Sequence, residues 1–137
     1  NVFGPADCYT VGEGSGINAG NAASYIAPEA QQISSVYHFN LASRKREPFT
    51  HTQFRKVQSD WAKLQEEGCW ATQYFSNHDS QRQVSHYGSE AYRVPSAKLL
   101  ATLLHTMPGT PYIYQGEEIG MVIHVMHEDI FNSMHRI

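Results

Sequence analysis

Two cysteines, Cys8 and Cys69, are all that the 137 residues contain, and they lie far apart. A small secreted scaffold stapled by disulfides would carry more. The pair reads instead as reduced core thiols of an intracellular protein, and the expected location is the cytoplasm. Charge is also sparse. Charged residues make up 17% of the chain, and 10 basic against 13 acidic side chains leave a formal net charge of −3. Without an extended basic cluster, nucleic acid is excluded as a main partner. No apolar run approaches the roughly 20 residues that a membrane helix needs, so no membrane partner is expected either. The first residues, Asn1 to Pro5, have neither the basic nor the apolar region of a signal peptide. They also lack an initiator Met, so a start further upstream is expected. Gly12, Gly14 and Gly16 do not have the spacing of a dinucleotide-binding loop. His124, His127 and Glu128 lie close together, but no further ligands follow at a recognisable spacing. No metal and no cofactor are expected.

With 41% hydrophobic residues, the chain can bury one core, and it is too short for two ordinary domains. Residues 1–137 are therefore read as one unit, without repeats or linkers. Four short segments rich in β-branched and aromatic residues read as strands. They are Cys8 to Val11, Ser35 to Phe39, Trp70 to Phe75 and Pro111 to Tyr114. Between them lie helical signals. Phe54, Val57, Trp61 and Leu64 recur at three- and four-residue spacing, with Thr50 and Gln53 placed for a capping box and Gly68 for a stop. A second helix is predicted from Pro95 to Met107, with Ala97, Leu100, Ala101, Leu104 and Met107 as its apolar stripe. A weaker one is predicted from Ala19 to Tyr25. Strands alternating with helices imply βαβ units and a parallel sheet, either closed into a barrel or doubly wound. Both place ligands at the C-terminal strand ends, so the pattern does not choose between them.

Polar residues gather at those ends: Glu13, Asn77, His78, Asp79, Gln115, Glu117 and Glu118. A carboxyl such as Glu13 at an apolar mouth is suited to general acid work. As a single residue it reads rather as a surface loop glutamate. Asn77-His78-Asp79 offers an amide, an imidazole and a carboxylate, a set able to hold vicinal sugar hydroxyls. The competing reading makes Asp79 the N-cap of a following helix. Arg44-Lys45-Arg46 is a basic triplet able to meet a phosphate, although such runs are ordinarily solvated loops.

Four ordered motifs add a resemblance. Val11-Gly12-Glu13, Phe75-Ser76-Asn77-His78-Asp79-Ser80-Gln81-Arg82, Tyr92-Arg93-Val94-Pro95-Ser96-Ala97-Lys98 and the stretch from Gly109 to Met121 resemble the α-amylase family of glycoside hydrolases. Within that family they are most similar to the α-glucosidase and oligo-1,6-glucosidase group. The resemblance covers residues 7–121 and implies a (β/α)₈ TIM barrel, of which this chain supplies about strands five to eight. It implies retaining hydrolysis of α-glucosidic bonds in short α-glucosides. Glu13 matches the acid/base, Asp79 the carboxylate that stabilises the transition state, and His78 a residue that binds the sugar. Asn77 and Arg82 belong to the same motif, and Phe39 sits where it lines the leaving-group side or simply packs the barrel. The implied partner is an α-linked glucose oligosaccharide.

The sequence also departs from the family. The aspartate nucleophile, in its Gly-Phe-Arg-x-Asp context, does not occur here, and neither do the strands that precede it. Ser80-Gln81-Arg82 stands where Gln-Pro-Arg is common. Residues 122–137 form a divergent tail without the following arginine-aspartate motif. The expectation is a half-barrel that is inactive alone and that self-associates through open strand edges, or pairs with a missing N-terminal half. The alternative is a non-catalytic sugar-binding half-barrel, a pseudoenzyme or a partner subunit. Intact Glu13 and Asp79 count against that alternative.

Overall fold

A computed structural model describes residues 8–41 and 50–123. The basic triplet at 44–46 and the histidines at 124 and 127 lie outside the described residues. Four short strands alternate with helices. They are β1 (Val11–Glu13), α1 (Ala23–Ile26), β2 (Ser35–Tyr37), α2 (His51–Glu66), β3 (Thr72–Gln73), α3 (Gln83–Tyr87), α4 (Arg93–Thr106) and β4 (Thr110–Pro111). Single 3₁₀ turns at Glu90–Tyr92 and Glu117–Ile119 complete the order.

Among the described residues all strand pairing is parallel. Val11 faces Ser35 and Glu13 faces Tyr37 in the first ladder, and Thr72 faces Thr110 in the second. Side chains join the two ladders. The Thr72 hydroxyl donates to the Val36 carbonyl at 2.7 Å, and the Ser35 hydroxyl donates to the Trp70 carbonyl at 3.0 Å. The four strands thus lie side by side in chain order, with their C-terminal ends together.

The strands are shorter and shifted relative to the apolar runs. Cys8 and Tyr9 are exposed, and the first ladder begins only after Thr10. Thr10 and Ser34 bond each other's backbone through their hydroxyls, at 3.0 Å each way, and so reinforce the strand entry, where the Ser34 and Ser35 N–H groups both bond the Thr10 carbonyl. Cys8 is therefore not a core thiol, because it precedes the covered part of β1. Cys69 is buried. Burial, with Glu67 and Glu29 nearby, pushes its thiol pKa up. On either side of Pro111, the N–H groups of Thr110 and Tyr112 bond the Ala71 and Gln73 carbonyls, at 3.0 and 2.8 Å. Pro111, between them, faces the other edge, where a missing donor costs no bond to β3.

Helix α2 follows its sequence signals closely. Thr50 and Gln53 form the reciprocal capping box. At the other end Gly68 adopts φ +84. The Gly68 N–H bonds Gln65 and the Cys69 N–H bonds Leu64, which is a Schellman stop. Helix α4 begins two residues before Pro95, which sits in its first turn, and buries Leu100 and Leu104 with Met107 just beyond it. The predicted helix at Ala19–Tyr25 shrinks to α1. Asn18 and Asn21 bond nearby backbone instead, the Asn18 side chain accepting from Gly20 at 2.8 Å and the Asn21 side chain from Asn18 at 2.9 Å.

Two apolar clusters fill the space behind the strands. Ala22, Ile26, Val36, Trp61, Leu64, Cys69 and Ala71 form one, and Leu41, Phe75, Val84, Leu100, Leu104 and Met107 form the other. Gly109, at φ +124, brings β4 so close to β3 that a Cβ there would meet the Ala71 carbonyl oxygen at 2.7 Å. Among the described residues no helix is long and apolar enough to cross a membrane.

Candidate active site

The C-terminal strand ends open into a cleft of about 250 Å³. Glu13 reaches it from the end of β1, Tyr37 and Phe39 from β2 and just beyond, Tyr74, Ser76, Asn77 and His78 from the segment after β3, and Tyr112 to Tyr114 from the segment after β4. Alternation explains the pairs 37 and 39, 74 and 76, and 112 and 114. Residues two apart on an extended chain face the same way.

The cleft wall is aromatic. Tyr37 meets Tyr74 and Tyr112 edge-on, with ring centroids 5.6 and 4.8 Å apart, and Phe39 meets Tyr74 at 6.2 Å. Burial pushes the Tyr112 hydroxyl up to about 12, and the phenols of Tyr37 and Tyr9 add to the rise. It is therefore a neutral hydrogen-bonding group at any ordinary pH. An apolar, ring-lined wall with a few polar groups at one end suits a pyranose, which has both apolar C–H faces and hydroxyls.

The expected site residues do not all stand in the same relation to the cleft. Glu13, Phe39, Asn77 and His78 line it. Asp79 lies beside it, its carboxylate 3.7 Å from the His78 ring nitrogen. Asp79 is not a helix cap, because α3 begins after Arg82 and has no side-chain cap. The turn holding these residues is closed from within. The Ser80 hydroxyl accepts from the Asn77 N–H at 2.8 Å, and the Asn77 side chain accepts from the Asp79 N–H at 3.0 Å. Ser80 thus secures the turn that lacks the family's usual proline. Arg82 does not line the cleft. Its guanidinium lies 4.4 Å from the centre of the Tyr114 ring and donates to the Gln115 carbonyl.

One buried acid was read only as part of the polar cluster. Glu117 is 6% exposed, accepts from the Ser76 hydroxyl, and accepts from the Tyr114 N–H at 3.1 Å. Burial raises its carboxyl pKa, and Glu118 adds to the rise. Ser76, the Tyr114 N–H and Arg82 pull the other way. The one available signal was a pair of acids set between Gly116 and Gly120. Among the described residues no cluster of three or more His, Cys, Asp or Glu side chains is placed to hold a metal ion.

A model of the α-amylase catalytic domain matches residues 1–136. The chain belongs to the α-amylase family. Within it, the chain is a member of the α-glucosidase group. It is 40% identical over 129 residues to the oligo-1,6-glucosidase of Parageobacillus thermoglucosidasius, covering 88% of this chain and 23% of that protein. It is 39% identical to the trehalose-6-phosphate hydrolase of Bacillus subtilis (strain 168), with 88% of this chain and 23% of that protein covered. Among solved structures, a trehalulose synthase mutant in complex with Tris superposes with a TM-score of 0.82 at 31% identity, over 91% of this chain and 24% of the other. The chain spans about a quarter of the length of the relatives it matches. The family fold is the (β/α)₈ barrel, which resolves the choice that strand alternation left open.

Proposed function

We propose that this chain carries the acid/base side of a retaining α-glucosidase site, built on strands five to eight of a (β/α)₈ barrel. The observation that carries this reading is convergence. Glu13, from the end of β1, and Asn77 and His78, from beyond β3, line one aromatic-walled cleft although more than sixty residues of sequence separate them.

In this reading a carboxylate from outside these residues attacks the anomeric carbon as the glycosidic bond breaks. Glu13 gives its proton to the departing oxygen, leaving a covalent glycosyl ester. Glu13, now ionised, takes a proton from water as that water attacks the same carbon and releases the nucleophile. Such a pair of carboxyl groups stands about 5–5.5 Å apart. Asp79 and His78 hold the sugar hydroxyls and favour the positively charged transition state. Asn77 shapes their turn, Phe39 borders the leaving group, and Arg82 acts through the Tyr114 ring. The substrates are short α-linked glucosides. Without the nucleophile the chain alone does not turn over, and the outer edges of β1 and β4, which pair with no strand among the described residues, offer surfaces for completing the barrel or for self-association.

Hydrolysis of an aryl α-glucoside, measured for the chain beside Glu13→Gln, tests the chemistry, and D-glucose titration followed by NMR tests the site. Neither protein is expected to turn over, while glucose shifts the signals of Glu13, Asn77 and His78. Turnover by the wild type alone would mean that these residues supply their own nucleophile. Glucose shifts confined to other regions would overturn the site.

A further inference from the structure

We infer that Glu117 is a positioning residue, tying the segment after β3 to the segment after β4 and so setting where Asn77, His78 and Asp79 meet the cleft. The inference rests on the proposed reading of that cleft as a glucoside site.

Hydrogen bonds within the 77–80 turn fix its shape, but none of them fixes its place. Two ties do that. At one end, Ser76 donates to the Glu117 carboxylate, whose other oxygen receives the Tyr114 N–H. At the other end, Arg82 donates to the Gln115 carbonyl and covers the Tyr114 ring. Ser76 and Arg82 bracket the three residues, and both lead to the same short segment. That segment is itself anchored. The Met121 N–H bonds the Gly116 carbonyl at 2.8 Å, the Gly116 N–H bonds the Glu118 carboxylate at 2.7 Å, and Arg93 of α4 donates to the Ile119 carbonyl at 2.7 Å. Glu117 does not line the cleft. Its effect on a bound sugar must therefore pass through Ser76 and Tyr114, which do.

The test compares wild type, Glu117→Gln and Glu117→Ala by backbone NMR and D-glucose titration. Glutamine keeps an oxygen for the Tyr114 N–H and a polar partner for the Ser76 hydroxyl, whereas alanine keeps neither. Alanine is expected to move the amide signals of 77–79 and 112–114 and to weaken glucose binding about tenfold. Glutamine is expected to restore the amides and to bring affinity within about twofold of wild type. Amide exchange in α2 should not change in either, which a general loosening of the fold would not allow. Wild-type amide positions at 77–79 in the alanine variant, or no rescue by glutamine, would overturn the inference. Should the alanine variant fail to fold, Ser76→Ala cuts the same tie and must move the Asp79 amide. If the wild type binds no glucose, the site reading fails, and the amide comparison alone decides for Glu117.

Discussion

His38 and Glu117 are both buried ionisable side chains, and their surroundings differ. His38 follows β2, 1% exposed, with its ring stacked on Trp61 at a centroid distance of 4.2 Å. Neither ring nitrogen makes a well-formed hydrogen bond among the described residues. Burial pulls the imidazole down to about 4, with only slight opposition from the Thr72 backbone, so the ring is neutral. Glu117, at 6% exposed, is met instead by a hydroxyl and an N–H from two different segments. A titratable group buried against rings serves packing. One buried between two cleft segments serves the cleft. The contrast also sets opposite pH dependences, since a buried imidazole disfavours folding when it gains a proton and a buried carboxyl when it loses one.

The largest break in this comparison is Trp61→Ala. Trp61 is 1% exposed, stacks on His38, and donates to the Asn40 side chain at 3.0 Å. Its loss should cost about 3–5 kcal/mol in urea unfolding. Glucose-induced shifts at Asn77 and His78 should persist in the protein that remains folded. Their disappearance would mean that the packed wall and the cleft are one unit. Next comes His38→Phe, which keeps a ring and removes the proton. The folded pKa of His38 lies below the ordinary imidazole value of 6.5, at about 4. The stability of the neutral ring is fully present above 6.5 and drains away as pH falls toward about 4. The whole loss is roughly 3 kcal/mol. Urea midpoints of the phenylalanine variant should be flatter across that window than those of wild type. Parallel curves would place His38 in a wetter site than the structure shows.

Local signals in the sequence were the legible ones. Helix α2 could be read from end to end because its apolar spacing, its Thr50–Gln53 box and its Gly68 stop all lie within its own span. Strand existence was legible, but strand limits were not. Thr10 and Ser34 add side-chain bonds to the backbone bonds across 24 residues of sequence, and no local pattern announces that. The same division holds in the cleft. Glu13, Asn77 and His78 stood out as polar residues ending apolar segments. The pairs Tyr37 and Phe39, Tyr74 and Ser76, and Tyr112 and Tyr114 carried a two-residue period that was available but unused. Asp79 and Arg82 belong to the motif, yet they stand beside the cleft, a distinction that depends on how the 77–80 turn is seated. Glu117 was the least legible, because its partner Ser76 lies 41 residues away.

The smallest expected effect concerns that same acid and completes the contrast with His38. Burial raises the Glu117 carboxyl above the ordinary carboxylate value of 4.5. On a rising pH scale the unfolded chain therefore loses this proton before the folded chain does. The stability gained from the protonated form is present below about 4.5 and is lost as pH rises through the folded value. Ser76, Tyr114 and Arg82 oppose burial at this site, so the loss should be smaller than at His38. Glu117→Gln cannot ionise. Its urea midpoint should match wild type near pH 4 and exceed it near pH 7, at about those two points. An equal gap at both would show that Glu117 holds the same charge in the folded and unfolded chain. Its hydrogen bonds would then outweigh its burial, and the tie between the two cleft segments would be a charged one.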